Sequence, residues 1–271
     1  MELFGLKSAI VQPNDDLIEH IEQSLADAGL ALQTGDVLVL SETVVATTQG
    51  RVIDLNSVES VSPRAEALAA QYQMDPRLCE LVLQESHAIL GGVDHVLLAE
   101  VSGLLIANAG IDQSNAGGDD KVVFLPQDLQ KTADEIRAQL EERHGVKIGV
   151  ILADSRVQPL KVGVIGMALS VSGFVPIIDC RGKVDLFGRV LRFKQMAVAD
   201  DIASAAELLM GECDEAVPFA LARGAPILLT DEAPVSMIMP ARECLFMNIL
   251  ANYFVKQAES CEDSPNDEQE S

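Results

Sequence analysis

The spacing of apolar positions changes along the chain, and each change marks an element. Leu17, Ile18, Ile21 and Leu25 fall on one helical face, in a helix that Asn14 can cap and Gly29 can close. Residues 36–40 (DVLVL) form an unbroken apolar run with the composition of a buried strand. Residues 44–55, rich in Val and Thr, read as a second extended segment. Ser62 before Pro63 and Asp75 before Pro76 open two short helices, the second reaching Ser86. Residues 95–107 have the pattern of a hairpin turning at Ser102 and Gly103. Thr132 and Glu135 stand at capping-box spacing ahead of a helix that runs to Arg143 and stops at Gly145. Residues 146–153 (VKIGVILA) then form a strand leading straight into Asp154.

Strands dominate residues 162–178, the longest uncharged run. Its 17 residues hold three glycines, two serines and a proline, so it reads as buried strands joined by a turn. A membrane span needs about 20 apolar residues. Asp200 can cap a helix to Met210 with Ile202, Ala205, Ala206 and Leu209 inward, and a last helix is expected from Pro240 to Lys256. Residues 259–271 carry six acids and no base, the composition of a solvated, disordered tail behind a domain at residues 1–258. Helices and strands mix without strict alternation. The expected fold class is therefore α+β, with mixed or antiparallel sheets and flanking helices.

With 271 residues, 48% of them hydrophobic, the chain can bury a substantial core. Its formal charge of −23 changes the functional picture more. Acids outnumber bases 42 to 19, which leaves no basic footprint for nucleic acid and requires a locally basic pocket for any anionic substrate. The N-terminus, MELFGLKSAIVQPNDD, has no basic region followed by a long apolar core and is not read as a signal peptide. A soluble, cytoplasmic protein without a membrane partner is expected. Five dispersed cysteines, odd in number and without a CxxC pair, suggest neither a disulfide framework nor a zinc site. Most are read as small buried hydrophobes.

The common nucleotide and nucleophile motifs are absent: no GxGxxG follows a strand, and there is no GxxxxGK[ST] or GxSxG. His20, His87, His95 and His144 are scattered and are read as structural. Carboxylates at the ends of apolar segments are more distinctive. Asp112 follows LLIANAGI, Asp154 follows KIGVILA and precedes Ser155, and Glu212 follows AAELLMG. Singly, each fits a turn or a cap. Brought together, two or three carboxylates and a hydroxyl offer the hard oxygen ligands that Mg2+ or Mn2+ prefers. Residues 180–195 (CRGKVDLFGRVLRFKQ) hold Arg181, Lys183, Arg189, Arg192 and Lys194 against the single acid Asp185. That island is either a strand pair with exposed basic ends or a pocket for an anionic substrate, with Arg181, Asp185 and Arg189 the substrate-binding candidates.

Seven segments, in order, resemble the coenzyme F420-0:L-glutamate ligases, the γ-glutamyl ligases that add glutamate to a deazaflavin precursor. They are TVVATTQGR (43–51), DPRLCELVLQES (75–86), ANAGIDQSN (107–115), GVILADS (149–155), DCRGKVDLFGR (179–189), VADDIASAAELLMGE (198–212) and ARG (222–224). The resemblance implies that family's fold, with two lobes in an intertwined homodimer, and a GTP-dependent amide ligase. In such an enzyme the acceptor carboxylate is phosphorylated, and the amino group of L-glutamate then displaces phosphate. Carried over by position, it implies Asp112 and Asp154 at one metal and Ser155 and Glu212 at a second. Asp112, Asp154 and Glu212 are then the catalytic carboxylates. Implied nucleotide contacts are Ser8, Ala9, Ile10, Val11, Glu42, Thr43, Asn115, Met210 and Gly211. The chain departs from the family pattern at Thr47, where a lysine is usual, at Gln158, where an arginine is usual, and at Glu42, where a small hydroxyl is usual; Ser155 stands for the usual threonine, and Lys161 keeps a positive charge. Three outcomes stay open: metals and other bases compensate, the acid or nucleotide differs, or the chain binds such ligands without ligating them.

Overall fold

The computed structural model describes residues 1–232 and 235–248. The strands are β1 (Glu2–Leu6), β2 (Val37–Ser41), β3 (Val52–Asp54), β4 (Ala88–Val93), β5 (Val96–Val101), β6 (Leu104–Ala107), β7 (Lys121–Val123), β8 (Gly149–Val157), β9 (Val164–Ser172), β10 (Ile177–Asp179), β11 (Gln195–Ala197) and β12 (Phe219–Arg223). The helices are α1 (Leu17–Asp27), α2 (Glu42–Thr48), α3 (Pro63–Tyr72), α4 (Pro76–Glu85), α5 (Leu129–His144) and α6 (Val198–Met210). The expected α+β class with mixed sheets and flanking helices holds. No helix among the described residues is long and apolar enough to cross a membrane.

The main sheet has the order β1-β12-β2-β8-β9, antiparallel throughout except for the parallel pair β2–β8. Its central strand explains the unbroken run VLVL. Leu38 and Leu40 join a cluster with Ile18, Ile21 and Leu25 of α1 and Ala133, Ile136 and Leu140 of α5. Val37 and Val39 point the other way and are equally buried. On that side α6 lies against β1, β8, β9 and β12. A strand covered on both faces has no use for alternation. A second cluster gathers Ala65 of α3, Leu78, Cys79 and Val82 of α4, and Leu97 and Ala99 of the β4-β5-β6 sheet.

The chain divides into compact units at Met1–Val235 and Ser236–Ser271. In the second, the amide of Cys244 donates to the Pro240 carbonyl at 3.3 Å, and residues 245–248 are helical. The expected last helix therefore starts later than Pro240. Its remainder to Lys256, the boundary at 258 and the tail at 259–271 lie outside the described residues.

Several expectations are corrected by tertiary structure. Residues 44–55 are not one extended segment: α2 occupies the first part and β3 the last. The Thr47 and Thr48 hydroxyls donate to the carbonyls of Thr43 and Val45, which accommodates these β-branched residues in a helix. Asp16, not Asn14, caps α1, accepting from the amides of Ile18 and Glu19. The α5 helix starts at Leu129, so Thr132 lies inside its first turn and donates back to the Gln127 carbonyl. The α6 helix starts at Val198, and Asp200 accepts from the Ala168 amide of β9 instead of capping. Leu209 of α6 is exposed. Strands β1, β4, β7, β11 and β12 were not anticipated. Of the four described cysteines only Cys79 is buried, and Cys213 is exposed.

One ion pair ties the sheet together. Asp36, which is 1% exposed, enters β2 and receives two hydrogen bonds from Arg223 at the end of β12, at 2.9 and 2.8 Å. Arg223 also donates to the Ala31 carbonyl at 2.8 Å, and Asp36 accepts from the Gln33 amide at 2.8 Å. Arg223→Ala leaves an enclosed carboxylate without its counter-ion. We expect a loss of about 3 kcal/mol, read as a lower urea midpoint with an unchanged slope; an unchanged midpoint would show that solvent replaces the guanidinium.

Candidate functional site

The parallel strands β2 and β8 end side by side, and the site is built there. Ser41, the last residue of β2, pairs with Ala153, so Asp154 and Ser155 of β8 run on past the end of β2 just where the chain turns into α2 at Glu42. Ends of parallel strands are where a sheet presents groups to a ligand. Asp154 is within β8 and not, as expected, beyond its end: it pairs with Met167, and Ser155 pairs with Gly166. A register shift just before them places an extra residue, Leu169, in β9. Gly166 allows β9 to approach α6 closely, since a Cβ there would lie 2.5 Å from the Ala203 carbonyl oxygen.

Asp112 arrives from the other side. After β6 the backbone passes through three consecutive positive-φ residues, Asn108, Ala109 and Gly110. A Cβ on Gly110 would lie 2.5 Å from Leu125, so glycine is required there for space as well as for φ. Asn108 holds the bend by accepting from the Leu97 amide at 2.8 Å. Asp112 then exchanges both backbone hydrogen bonds with Val123, at 2.9 and 2.8 Å. Its carboxylate accepts from the Ser114 amide at 2.8 Å and from the Ser114 hydroxyl at 2.6 Å. Asn115 donates to the Cys213 carbonyl at 3.1 Å, which pins this loop to the one after α6.

These segments enclose a cleft of about 540 Å3. Its lining includes Ser8, Ala9, Ile10 and Val11 after β1, Glu42 and Thr43 of α2, Asp112 and Asn115, Asp154 and Ser155, and Met210, Gly211 and Glu212. Every residue carried over as a metal or nucleotide contact thus lies on one surface. Arg181, Asp185 and Arg189 do not line it. They stand on the β10–β11 hairpin, where Arg181 pairs with Asp179 at 2.5 Å and Asp185 accepts from the amides of Phe187 and Arg189.

The lining carries seven carboxyl groups, Glu42, Asp112, Asp154, Glu207, Glu212, Asp214 and Glu215, and among the described residues no Lys, Arg or His. Burial pushes Asp154 well above the usual carboxylate range, and the charges of Glu42, Asp112 and Glu212 push it the same way. Burial lifts Glu42 to about 7, against a hydrogen bond from the Thr43 hydroxyl at 2.6 Å, and Asp112 adds to the rise. Burial also lifts Glu207 to about 7, helped by the adjoining Glu212 carboxyl. The Oε1 of Glu207 is enclosed with no hydrogen-bond partner. Glu207 went unnoticed in the sequence because it sits inside α6 with no end of an apolar run to mark it. No three His, Cys, Asp or Glu side chains among the described residues stand in a ready metal cage. The convergence is electrostatic, of groups that repel one another across a shared space.

One histidine, His20, stands directly behind the cleft lining. His20 Nε2 lies 3.1 Å from Asp15 Oδ2, and its Nδ1 lies 3.1 Å from the hydroxyl of Ser8 in the cleft lining.

The fold and the cleft define an α+β protein with an acid-lined cleft at the end of a parallel strand pair. The family described as F420-0:Gamma-glutamyl ligase matches residues 5–224, and the chain belongs to it. It is therefore an enzyme, an acid–amino-acid ligase. Among similar curated proteins, the coenzyme F420:L-glutamate ligase of Methanopyrus kandleri is 41% identical over 79% of this chain and 82% of its own. That of Methanothermobacter thermautotrophicus is 38% identical over 83% and 90%. That of Methanocaldococcus jannaschii is 33% identical over 92% and 97%.

The acid cluster makes stability depend on pH. Glu42 ionises near 7 in the fold against an ordinary 4.5, so its contribution is fully present below 4.5 and is lost as pH rises through 7. Without divalent cations, the thermal midpoint should fall between pH 5 and 8, and Glu42→Gln should flatten that fall. Parallel profiles for the two proteins would remove Glu42 from the strained cluster.

Proposed function

We propose that the chain is a nucleotide- and divalent-metal-dependent amide ligase that joins L-glutamate to a carboxylate acceptor such as coenzyme F420-0, in the cytoplasm. One observation carries this reading: Asp112, Asp154, Ser155 and Glu212 meet in one cleft with residues 8–11, Thr43, Asn115 and Gly211, in a chain that belongs to the family. The donor set suits a hard cation, being carboxylate and hydroxyl oxygen. Burial first, and then the neighbouring carboxylates, push Asp154 and Glu42 upward, and a cation would relieve both effects. Asp112, Asp154, Ser155 and Glu212 would hold Mg2+ or Mn2+, which would supply charge neutralisation for a transferred phosphoryl group. GTP is the proposed co-substrate, lying against residues 8–11, Glu42, Thr43, Asn115, Met210 and Gly211. A carboxylate is a poor electrophile, and conversion to an acyl phosphate gives it a leaving group that the amine of glutamate can displace.

The acceptor's cations are proposed to come from a second subunit. The hairpin with Arg181, Asp185 and Arg189 contributes nothing to its own cleft, and it exposes Leu186, Phe187 and Phe193 by 99%, 95% and 90%. Apolar side chains displayed in this way on a basic arm suit an intertwined homodimer. A second reading, binding without ligation, is favoured by one observation. Thr47 stands where a lysine is expected and its hydroxyl is taken by the Thr43 carbonyl at 2.7 Å.

Incubation with GTP or ATP, Mg2+ or Mn2+, glutamate and F420-0 should yield nucleoside diphosphate and a product heavier by one glutamyl unit. Thermal stabilisation by nucleotide with no diphosphate would favour the binding reading instead. Asp154→Asn should lower kcat/KM by roughly 100-fold while the fold survives; unchanged kinetics would take Asp154 out of the site. Light scattering should give a dimer mass, and the double variant Leu186→Ser, Phe187→Ser should give a monomer with little activity. A monomeric, fully active wild type would sink the shared-site arrangement.

A further inference from the structure

Among the described residues the cleft has no cationic side chain in its lining, but His20 behind it can acquire a positive charge. Ser8, in the lining, has its hydroxyl 3.1 Å from His20 Nδ1. On the other side of the ring, Nε2 is 3.1 Å from Asp15 Oδ2. The same Asp15 oxygen accepts from the Gln12 amide at 2.8 Å. That backbone hydrogen bond and the one with His20 hold the Asp15 carboxyl below its ordinary range, so it is an ionised acceptor. Of the two neutral tautomers, an ionised acceptor at Nε2 selects the one with its proton on Nε2. Nδ1 is then bare, and the Ser8 hydroxyl must donate to it. Ser8 in that state turns lone pairs, not a proton, toward the cleft.

Protonation of His20 reverses the order. Both ring nitrogens become donors, Nδ1–H donates to the Ser8 oxygen, and the Ser8 hydroxyl hydrogen is released to point into the cleft. Ring and hydroxyl act as a unit because the rest of His20 is fixed. It lies on α1, capped by Asp16, and its carbonyl accepts from the Ser24 hydroxyl at 2.8 Å. Ser8 is held by its amide, which donates to the Ala216 carbonyl at 3.0 Å across the mouth of the site. Among the described residues Asp15 is the ionisable side chain that meets the ring. Glu22, further along α1, is engaged by Arg143 and His144 of α5 at 3.0 and 3.6 Å.

We propose that Asp15 and His20 are positioning residues that set the direction in which the Ser8 hydroxyl donates, so that His20 takes up a proton when Ser8 donates to an acceptor atom of a bound nucleotide. The arrangement reverses the ring of a hydrolytic triad, in which the carboxylate meets Nδ1 and the serine meets Nε2. Its product is a donor hydroxyl backed by a positive charge. In a lining of seven acids, that is an asset for an anionic ligand. The inference rests on the nucleotide reading above and adds to it a proton-coupled contact specific to this chain's own Ser8, Asp15 and His20.

The test combines one readout that needs no ligand with one that does. Nitrogen-15 NMR of histidine-labelled free protein should show neutral His20 with its proton on Nε2; a proton on Nδ1 overturns the proposal. Calorimetric titration with GDP and Mg2+ in buffers of different ionisation enthalpy, between about pH 6 and 8, should show more proton uptake by wild type than by His20→Gln. The wild-type affinity should fall several-fold toward pH 8, beyond any fall in the variant. Asp15→Asn, which keeps an acceptor oxygen but loses the charge, should shift that fall to lower pH while leaving low-pH affinity intact. A merely structural role for His20 would change affinity equally at every pH. Binding with the same pH profile and proton count in wild type and His20→Gln overturns this proposal alone. No GDP binding to any of the proteins at pH 6 overturns the nucleotide reading and this proposal with it.

Discussion

Like charges that share one cleft repel, and this fold is organised around holding several of them in place. In an unconstrained chain, Asp154, Glu42, Asp112 and Glu212 would separate. Here each is carried by a different element: Asp154 by β8, Glu42 by the first turn of α2, Asp112 by a backbone bridge to Val123, and Glu212 by the turn after α6. Asp154, Glu42 and Asp112 sit on hydrogen-bonded backbone, and Glu212 follows the end of α6, where the Gly211 amide donates to the Glu207 carbonyl. Protonation and cation binding are the two ways left to relieve the repulsion. The upward shifts of Asp154 and Glu42 express the first, and a ligand that brings cations would supply the second.

The supports of this cluster lie away from it. Close approaches at Gly110 against Leu125 and at Gly166 against Ala203 bring the loop and β9 to the right depth. Behind them, β2 is buried on both faces, and the Asp36–Arg223 pair joins its start to the end of β12. Unfavourable electrostatics at one end of the sheet is thus offset by apolar packing and a well-bonded ion pair elsewhere, the usual division between a strained site and its scaffold.

How much of this was legible in the sequence depends on how local each cause is. Ser62 and Asp75 before prolines announce α3 and α4 because capping is a matter of three residues. The segments ELFGL and FALAR have no such signal; they are strands because they pair with each other and FALAR pairs with β2. The α2 segment carried a misleading local signal, its β-branched residues, which back-bonding hydroxyls and burial override. The same distinction runs through the site. Asp112, Asp154 and Glu212 stood out at or near the ends of apolar runs. Glu207 did not, because only the approach of β9 encloses it, and His20 did not, because only the fold brings Ser8 to its ring.

Charge then separates what one protomer can do from what an assembly can do. At Thr47, where the resemblance expects a lysine, the hydroxyl is engaged by the helix itself, and Gln158 and Lys161 lie outside the cleft lining. Among the described residues no Lys, Arg or His of that lining stands in for those expected cations. Positive charge is concentrated instead on the β10–β11 hairpin, with Lys183, Arg189, Arg192 and Lys194 on an arm whose apolar tip is exposed in the single chain. In the proposed dimer those are the cations available to a neighbour's cleft. The net charge of −23 would then coexist with an anionic substrate because attraction is confined to the place where two chains meet. In that proposal a single protomer holds the acids, and pairing would supply the bases that recognise an acid.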